Sequence, residues 1–134
     1  MKKLFLTAAM LASFVPATVL AQQATPSHAA TVLSGYACMA LNLPAGEMMN
    51  PDIQVPIYSD PTSSSTQIGR ASAIVIVSFP LVLTDGYARV LHLNGKTGWI
   101  SEKYIKTWVN PGGTGDHCYP VLLSNGRIGF EFHK

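Results

Sequence analysis

The chain has 134 residues, of which 48% are hydrophobic and only 12% are charged. This length suits a single small domain rather than an enzyme built around a large active site. Of the nine Lys and Arg residues, Lys2 and Lys3 lie at the extreme N-terminus, which leaves seven cations against seven acids. Because these seven cations are scattered along the chain, the charge pattern excludes a nucleic-acid-binding surface.

The N-terminal segment is typical of a secretory signal peptide. A positively charged start is followed by an apolar run from Leu4 to Val15, which is too short to span a bilayer. We place cleavage after Ala21, so that residues 1–21 form the signal peptide; an uncleaved N-terminal anchor is the alternative. Gln22 rather than Cys follows the cleavage point, so no lipid anchor is indicated, and no later segment is apolar enough to cross a membrane. The mature protein is therefore expected to be periplasmic or secreted.

Residues 22–35 are rich in Ala, Gln, Thr and Ser, which predicts a flexible leader that is ordered only if it docks. The predicted domain covers residues 36–134, and its two cysteines, Cys38 and Cys118, lie towards its two ends. Because an exported chain meets an oxidising environment, we expect them to form one disulfide. The alternative is a metal site that combines Cys118 with His117. Structural zinc needs four ligands in closely spaced pairs, so no metal is predicted.

Turn residues recur about every 8 to 12 positions beyond Tyr36 and no stretch has a helical repeat, which predicts an all-β domain. Ile53 to Tyr58 is a short apolar run interrupted by Pro56, which predicts an edge strand or a bulge. The β-branched run at residues 73–77 is the strongest strand signal, and we expect it to be central to the sheet.

Two turn signals follow this strand. Asp85-Gly86 predicts a turn before a strand at residues 87–93. Asn94-Gly95 then separates that strand from residues 96–100, and this pattern predicts a two-residue type I′ hairpin.

The C-terminal part of the chain predicts a second hairpin. Residues 102–106 are expected to hold one tight helical turn, and residues 110–115 form a loop. Two short strands, 121–123 and 127–130, are joined around Asn125-Gly126. The expected disulfide would attach this hairpin to the opposite end of the domain as a collar around the central barrel.

The middle of the chain resembles the bacterial SH3-like family in the order and spacing of its motifs. The matching stretches are Val55 to Thr62, Ile68 to Arg70, Gly86 to Val90 and Asn94 to Ile105. The most specific match is Gly-Trp-Ile at residues 98–100, followed four residues later by Tyr104. The resemblance covers roughly residues 52–106 and implies a small half-open barrel of five or six strands. It further implies a binding or targeting module for cell-wall peptides or protein partners, without catalytic residues of its own.

One departure from the family pattern lies in the first strand. The family often begins with Asn-Val-Arg-Ser-Gly-Pro, and here Pro56, Ile57 and Asp60 replace its Arg, the neighbouring residue and its Gly. No ligand contact through that arginine is therefore carried over to this chain.

Five aromatic residues cluster around the strands and turns that line the groove in SH3-like barrels. They are Tyr58, Tyr87, Trp99, Tyr104 and Trp108. Such amphipathic rings stack on extended peptides or sugars, so we predict that they form a ligand groove. The alternative is that Trp99 and Tyr87 fill a small core, and the same alternative holds for Tyr58 and Tyr104. Trp108, beyond the barrel, is expected to be exposed or to pack beneath the collar.

No catalytic motif accompanies these features. Gly-x-Ser-x-Gly is absent and the aspartates occupy turn-forming positions, so neither an enzyme nor a cofactor is predicted. The leading hypothesis is a non-enzymatic periplasmic or extracellular SH3-like binding module for a cell-wall peptide or an envelope protein. The alternative is a stand-alone exported inhibitor or stress protein that acts through its loops or hairpin edge. A small wall hydrolase, the third hypothesis, requires a His and a carboxylate or metal to converge in a cleft, and a structure in which His92, His117 and His133 lie apart would contradict it.

Overall fold

The computed structural model describes residues 29–134, so the predicted signal peptide, residues 1–21, lies outside the described residues. This part of the chain is all-β, as predicted, and all of its strand pairs are antiparallel. Its strands are β1 (Ala29–Val32), β2 (Tyr36–Leu41), β3 (Pro56–Tyr58), β4 (Gln67–Arg70), β5 (Ile74–Ser78), β6 (Leu83–Thr84), β7 (Tyr87–Leu91), β8 (Thr97–Ser101), β9 (Ile105–Thr107), β10 (His117–Leu123) and β11 (Ile128–His133).

Two short helical segments complete the described residues. The helix α1 (Ala45–Met48) follows β2, and a single 3₁₀ turn, Glu102–Tyr104, follows β8. The second confirms the tight turn expected near residues 102–106. Within residues 29–134, no helix has the length and hydropathy needed to cross a membrane.

Eight strands form the large sheet, in the order β4-β3-β8-β7-β5-β2-β9, with β6 paired to β7. The strand β5 lies inside this sheet, between β2 and β7, as its β-branched sequence predicted. The strands β4 and β9 are its edges, and no ladder joins them in the part of the chain described. Within the described residues, the large sheet is therefore open and its strand pairing does not close into a barrel.

The hydrophobic core lies against one face of the large sheet. Its buried cluster consists of Leu41, Val55, Ile57, Val75, Val77, Ala88, Val90 and Ile100. Successive side chains of a strand point to opposite faces, so Ile76 points away from this cluster. Ile76 is nevertheless only 2% exposed, and its register partner on β2 is Cys38. Both faces of β5 are thus covered, which explains its unbroken apolar sequence.

The small sheet has the order β1-β10-β11 and contains the predicted C-terminal hairpin. Its first strand comes from the predicted leader, whose last residues dock against β10. Cys38 on β2 and Cys118 on β10 form the predicted disulfide, with their Cα atoms 5.9 Å apart. This bond joins the small sheet to the large one where β10 contacts β2.

The turn at Asn94-Gly95 is not the predicted two-residue type I′ turn. Gly95 has a φ of 85°, but Asp85 is the only non-glycine residue with a positive φ among those described, so Asn94 does not adopt the left-handed conformation. The amide of Gly95 donates to the carbonyl of His92, and the loop has three residues. The side-chain oxygen of Asn94 accepts a hydrogen bond from the Lys96 amide at 2.9 Å. With Asn94 held in this way, Gly95 is the residue of this turn that adopts the left-handed conformation.

A two-residue turn with the type I′ pattern does occur, at Asp85-Gly86 between β6 and β7. These residues have φ values of 51° and 78°. The predicted turn at this position is confirmed. The strand β3 also follows the prediction in part, because its register with β4 shifts between Ile57 and Tyr58 as a bulge would. It is not an edge strand, since it pairs with both β4 and β8.

Candidate functional site

Three of the five predicted site residues lie on one surface of the large sheet. Ile57, Ala88 and Ile100 are buried in the core cluster, and their neighbours Tyr58, Tyr87 and Trp99 alternate with them along β3, β7 and β8. The three aromatic side chains therefore point away from the core, and each is partly exposed. We call the surface formed by Tyr58, Tyr87, Trp99 and Arg89 the aromatic face.

Strand register places the members of the aromatic face beside one another. Trp99 on β8 is the partner of Tyr58 on one side and of Arg89 on the other. Tyr87 is the partner of Ser101, whose small side chain lies between β3 and β7. The rings of Tyr58 and Tyr87 meet across β8 edge to face, with centroids 6.2 Å apart and planes at 79°. Such a contact fixes the orientation of both rings.

Arg89 is the charged member of the aromatic face. Its side chain is exposed and forms no salt bridge with any residue of the described part of the chain. An exposed guanidinium beside aromatic rings can pair with a carboxylate while its plane stacks on an aromatic group. The aromatic face therefore offers both stacking surface and one positive charge to a ligand.

Tyr104 does not join the aromatic face. It belongs to the 3₁₀ turn Glu102–Tyr104 and packs against the core cluster, and Lys103 Nζ lies 4.8 Å from its ring centroid. The expected grouping of Tyr104 with Tyr58 and Trp99 is therefore not found, because the turn after β8 directs this ring to the opposite side of the sheet. The core alternative considered for this residue is the one that the packing supports.

Trp108 lies apart from the other four residues, between the two sheets. It follows β9, and its ring stacks on Phe132 of β11 with centroids 5.7 Å apart and planes at 30°. This contact agrees with the expectation that Trp108 packs beneath the collar. Beside the pair is an open cleft of about 580 Å³, which we call the Trp108 cleft. Its apolar lining includes Ala40, Met48, Ile74, Trp108, Val109 and Phe132.

Two exposed apolar features, one in the Trp108 cleft and one after β5, were not predicted from the sequence. Phe132 is 50% exposed and Val109 is 74% exposed, and both contribute to the Trp108 cleft. The segment 79–83, Phe-Pro-Leu-Val-Leu, follows β5, and Phe79 is 68% exposed. An apolar run that continues past the end of a buried strand and contains Pro80 is the sequence signal that marks this segment.

Of the three histidines named in the hydrolase hypothesis, His117 and His133 are neighbours in the small sheet, and His92 lies apart from them. The His133 ring stacks on Tyr119 with centroids 4.3 Å apart, and its Nε2 lies 3.8 Å from Glu131 Oε2, where both side chains are exposed rather than enclosed in a cleft. His92 directly follows β7; its Nδ1 accepts a hydrogen bond from the Asn94 amide, which leaves Nε2 to donate to the carbonyl of Arg70. Within residues 29–134, no group of three His, Cys, Asp or Glu side chains is arranged to hold a metal ion.

Comparison with known proteins finds no matching family model, no matching curated protein and no matching solved structure. The resemblance to the bacterial SH3-like family therefore stays a prediction. The aromatic face and the Trp108 cleft are the features from which a function can be inferred.

Proposed function

We propose that this chain is an exported, non-enzymatic binding module with an SH3-like fold, and that its aromatic face captures a cell-wall peptide. The observation that carries the proposal is the convergence of Tyr58, Tyr87 and Trp99 with Arg89 on one exposed surface. Three partly exposed aromatic side chains gathered on one surface form a contiguous patch of the kind that marks a binding site.

The SH3-like fold is supported by the sequence pattern and by compatible strand pairing. The Gly-Trp-Ile motif lies on β8, at the centre of the antiparallel strands β3, β8 and β7. Gly98 and Ile100 face the core side while Trp99 faces outwards, so successive residues of the motif alternate between the core and the exposed surface. The short strands and tight turns of the large sheet are those that a small half-open barrel requires.

Export is supported by the Cys38–Cys118 disulfide. Disulfides persist in oxidising compartments and are rare where thiols are kept reduced. The signal-peptide pattern of residues 1–21 supports the same compartment. A periplasmic or secreted protein of this kind meets peptidoglycan directly.

The chemistry of the aromatic face favours a peptide with a carboxylate as ligand. Tyr58 and Trp99 supply flat apolar surface on which an extended chain can lie. Arg89 lies directly beside Trp99 and can form a bidentate pair with a carboxylate of the ligand. The stem peptides of peptidoglycan combine these features.

The proposal is tested by retention of the oxidised, processed protein on purified peptidoglycan sacculi. We expect wild type to be retained, and the Trp99→Ala and Arg89→Gln variants to pass through while circular dichroism shows that they remain folded. Trp108→Ala is the matched control, since it removes a side chain of the same type outside the aromatic face. If wild type is not retained even at low salt, the cell-wall ligand is wrong.

A second candidate, a stand-alone inhibitor or stress protein, rests on the exposed segment 79–83. Phe79 and Leu83 are 68% and 50% exposed, and an apolar segment of this kind marks a protein-binding surface. A photo-crosslinking amino acid at position 79 would couple the chain to one partner protein in intact cells if this second function holds. The same crosslinker at Ser63, an exposed position in the polar loop between β3 and β4, is the matched control and should capture no such partner. Equal coupling at the two positions would contradict this second function.

A further inference from the structure

The Trp108 cleft is a second candidate binding site, separate from the aromatic face. Five segments of chain form it: they contribute Ala40 from β2, Met48 from α1, Ile74 from β5, Trp108 after β9 and Phe132 from β11. Its volume of about 580 Å³ lies within the range of small-molecule sites, which is roughly 300 to 1,000 Å³. Because the Cys38–Cys118 disulfide joins the two sheets that form its walls, the cleft is preorganised.

The cleft also contains a positioned carboxylate. Asp116 contributes to its lining, and its Oδ2 accepts a hydrogen bond from the hydroxyl of Thr114. Thr114 Oγ1 in turn accepts a hydrogen bond from the side-chain amide of Asn110 at 2.7 Å. The loop at residues 110–116 therefore holds the carboxylate through two linked hydrogen bonds.

No positive charge within the described residues compensates this carboxylate. Asp116 forms no salt bridge there, and the lining of the Trp108 cleft contains neither Lys nor Arg. The side chain is only partly exposed, so solvent screens its charge less than that of a surface aspartate. The electrostatic complement of the cleft is a cation.

The aromatic ring in the cleft favours the same kind of ligand. The Trp108 indole can attract a nearby ammonium group through its negative face, and Phe132 extends the apolar surface beside it. Met48 belongs to a different segment of the lining and can adapt its flexible side chain to the shape of a ligand. An apolar body and one positive charge are the two properties that this lining selects.

We propose that the Trp108 cleft binds an organic ammonium ion that carries an apolar group, with the ammonium paired to Asp116 and the apolar group packed on Trp108. The site does not share a side chain with the aromatic face. The proposed ammonium site can therefore be wrong without affecting the proposed function, and the proposed function can be wrong without affecting this site.

The test measures the affinity of the oxidised, processed protein for three probes by amide chemical-shift titration. The probes are phenethylammonium, its neutral isostere 2-phenylethanol and the anion phenylacetate. We expect phenethylammonium to bind most tightly and to shift the amides around Trp108 and Asp116. Phenylacetate should bind at least about tenfold more weakly, because its carboxylate meets that of Asp116.

Two aspartate variants separate the charge of the site from the general charge of the protein. Asp116→Asn keeps an acceptor for the Thr114 hydroxyl and should weaken phenethylammonium about tenfold while changing 2-phenylethanol by less than about twofold. Asp85→Asn is the matched control. It removes the same charge at the turn between β6 and β7, where Asn tolerates the positive φ, and should leave the affinity unchanged.

Trp108→Ala tests the apolar half of the proposal and should weaken both phenethylammonium and 2-phenylethanol. Trp99→Ala, on the aromatic face, should affect neither probe. The proposal is overturned if phenethylammonium does not bind, if it binds elsewhere, or if Asp116→Asn and Asp85→Asn change its affinity equally. Because sacculi are absent from this titration, its result is independent of whether the aromatic face binds cell-wall peptides.

Discussion

Cys38 and Cys118 form the covalent link between the two sheets, with a sequence separation of 80 and a Cα separation of 5.9 Å. Cys38 lies on β2 beside Ile76, which is buried on the face of the large sheet opposite to the main core. The disulfide therefore holds the small sheet close to a part of the large sheet whose apolar side chains need cover from water.

Removing this link should destabilise the protein strongly. We expect replacement of both cysteines by serine to lower the free energy of unfolding by about 4 kcal/mol, since closing so long a loop restricts the unfolded chain. Urea denaturation followed by circular dichroism measures the change. Wild type treated with a reductant is the control and should match the double variant; a loss below about 1 kcal/mol would contradict the prediction.

The contact between Tyr58 and Tyr87 should be measurable as a coupling energy. Their rings meet edge to face at 6.2 Å, and such pairs contribute about 1 kcal/mol beyond the area that they bury. A double-mutant cycle with Tyr58→Ala and Tyr87→Ala in urea denaturation gives this value. The cycle that pairs Tyr58→Ala with Tyr36→Ala is the control and should be additive, because Tyr36 on β2 has no ring contact with Tyr58.

Gly98 should not tolerate a side chain. A Cβ atom there would lie 2.6 Å from Ile68 Cδ1 and 2.7 Å from the backbone oxygen of Tyr58, which cannot move without shifting β3. We expect Gly98→Ala to lower the free energy of unfolding by about 2 kcal/mol through overpacking. Gly46→Ala is the matched control, because nothing lies within 4 Å of its Cβ position, and it should be neutral or slightly stabilising. Equal effects of the two substitutions in thermal denaturation would contradict this account.

Gly69 and His92 should show a non-additive response. A Cβ atom on Gly69 would lie 2.7 Å from His92 Nε2, the nitrogen that contacts the carbonyl of Arg70. Gly69→Ala alone should cost about 1 to 2 kcal/mol, because the ring must move and abandon that hydrogen bond. In a His92→Ala background the same substitution should cost less than about 0.5 kcal/mol. Unfolding curves of the four proteins give both values, and an unchanged cost would show that the ring is not the obstacle.

Local sequence was sufficient for the features that depend on neighbouring residues. The β-branched residues of β5 predicted an internal strand because such side chains pack well on both faces of a covered sheet. The two cysteines predicted one disulfide because no other partner was available within the domain. At Asn94-Gly95 the same reasoning predicted a hairpin but the wrong turn type. The preference of Asn for the left-handed conformation competes there with the hydrogen bond from the Lys96 amide to its side chain.

The composition of the two candidate sites was decided by tertiary structure. Alternation along a strand separates Trp99 from Ile100, but only the position of the core determines which of them faces water. The 3₁₀ turn after β8 directs Tyr104 to the core side, and the disulfide-linked small sheet brings Phe132 onto Trp108. Sequence by itself therefore determined the main strands, the pairing of the cysteines and five aromatic candidates for binding, whereas Phe132 and Val109 emerged only from the structure. Long-range packing determined which of those residues meet, because contacts between distant segments depend on how the two sheets are assembled.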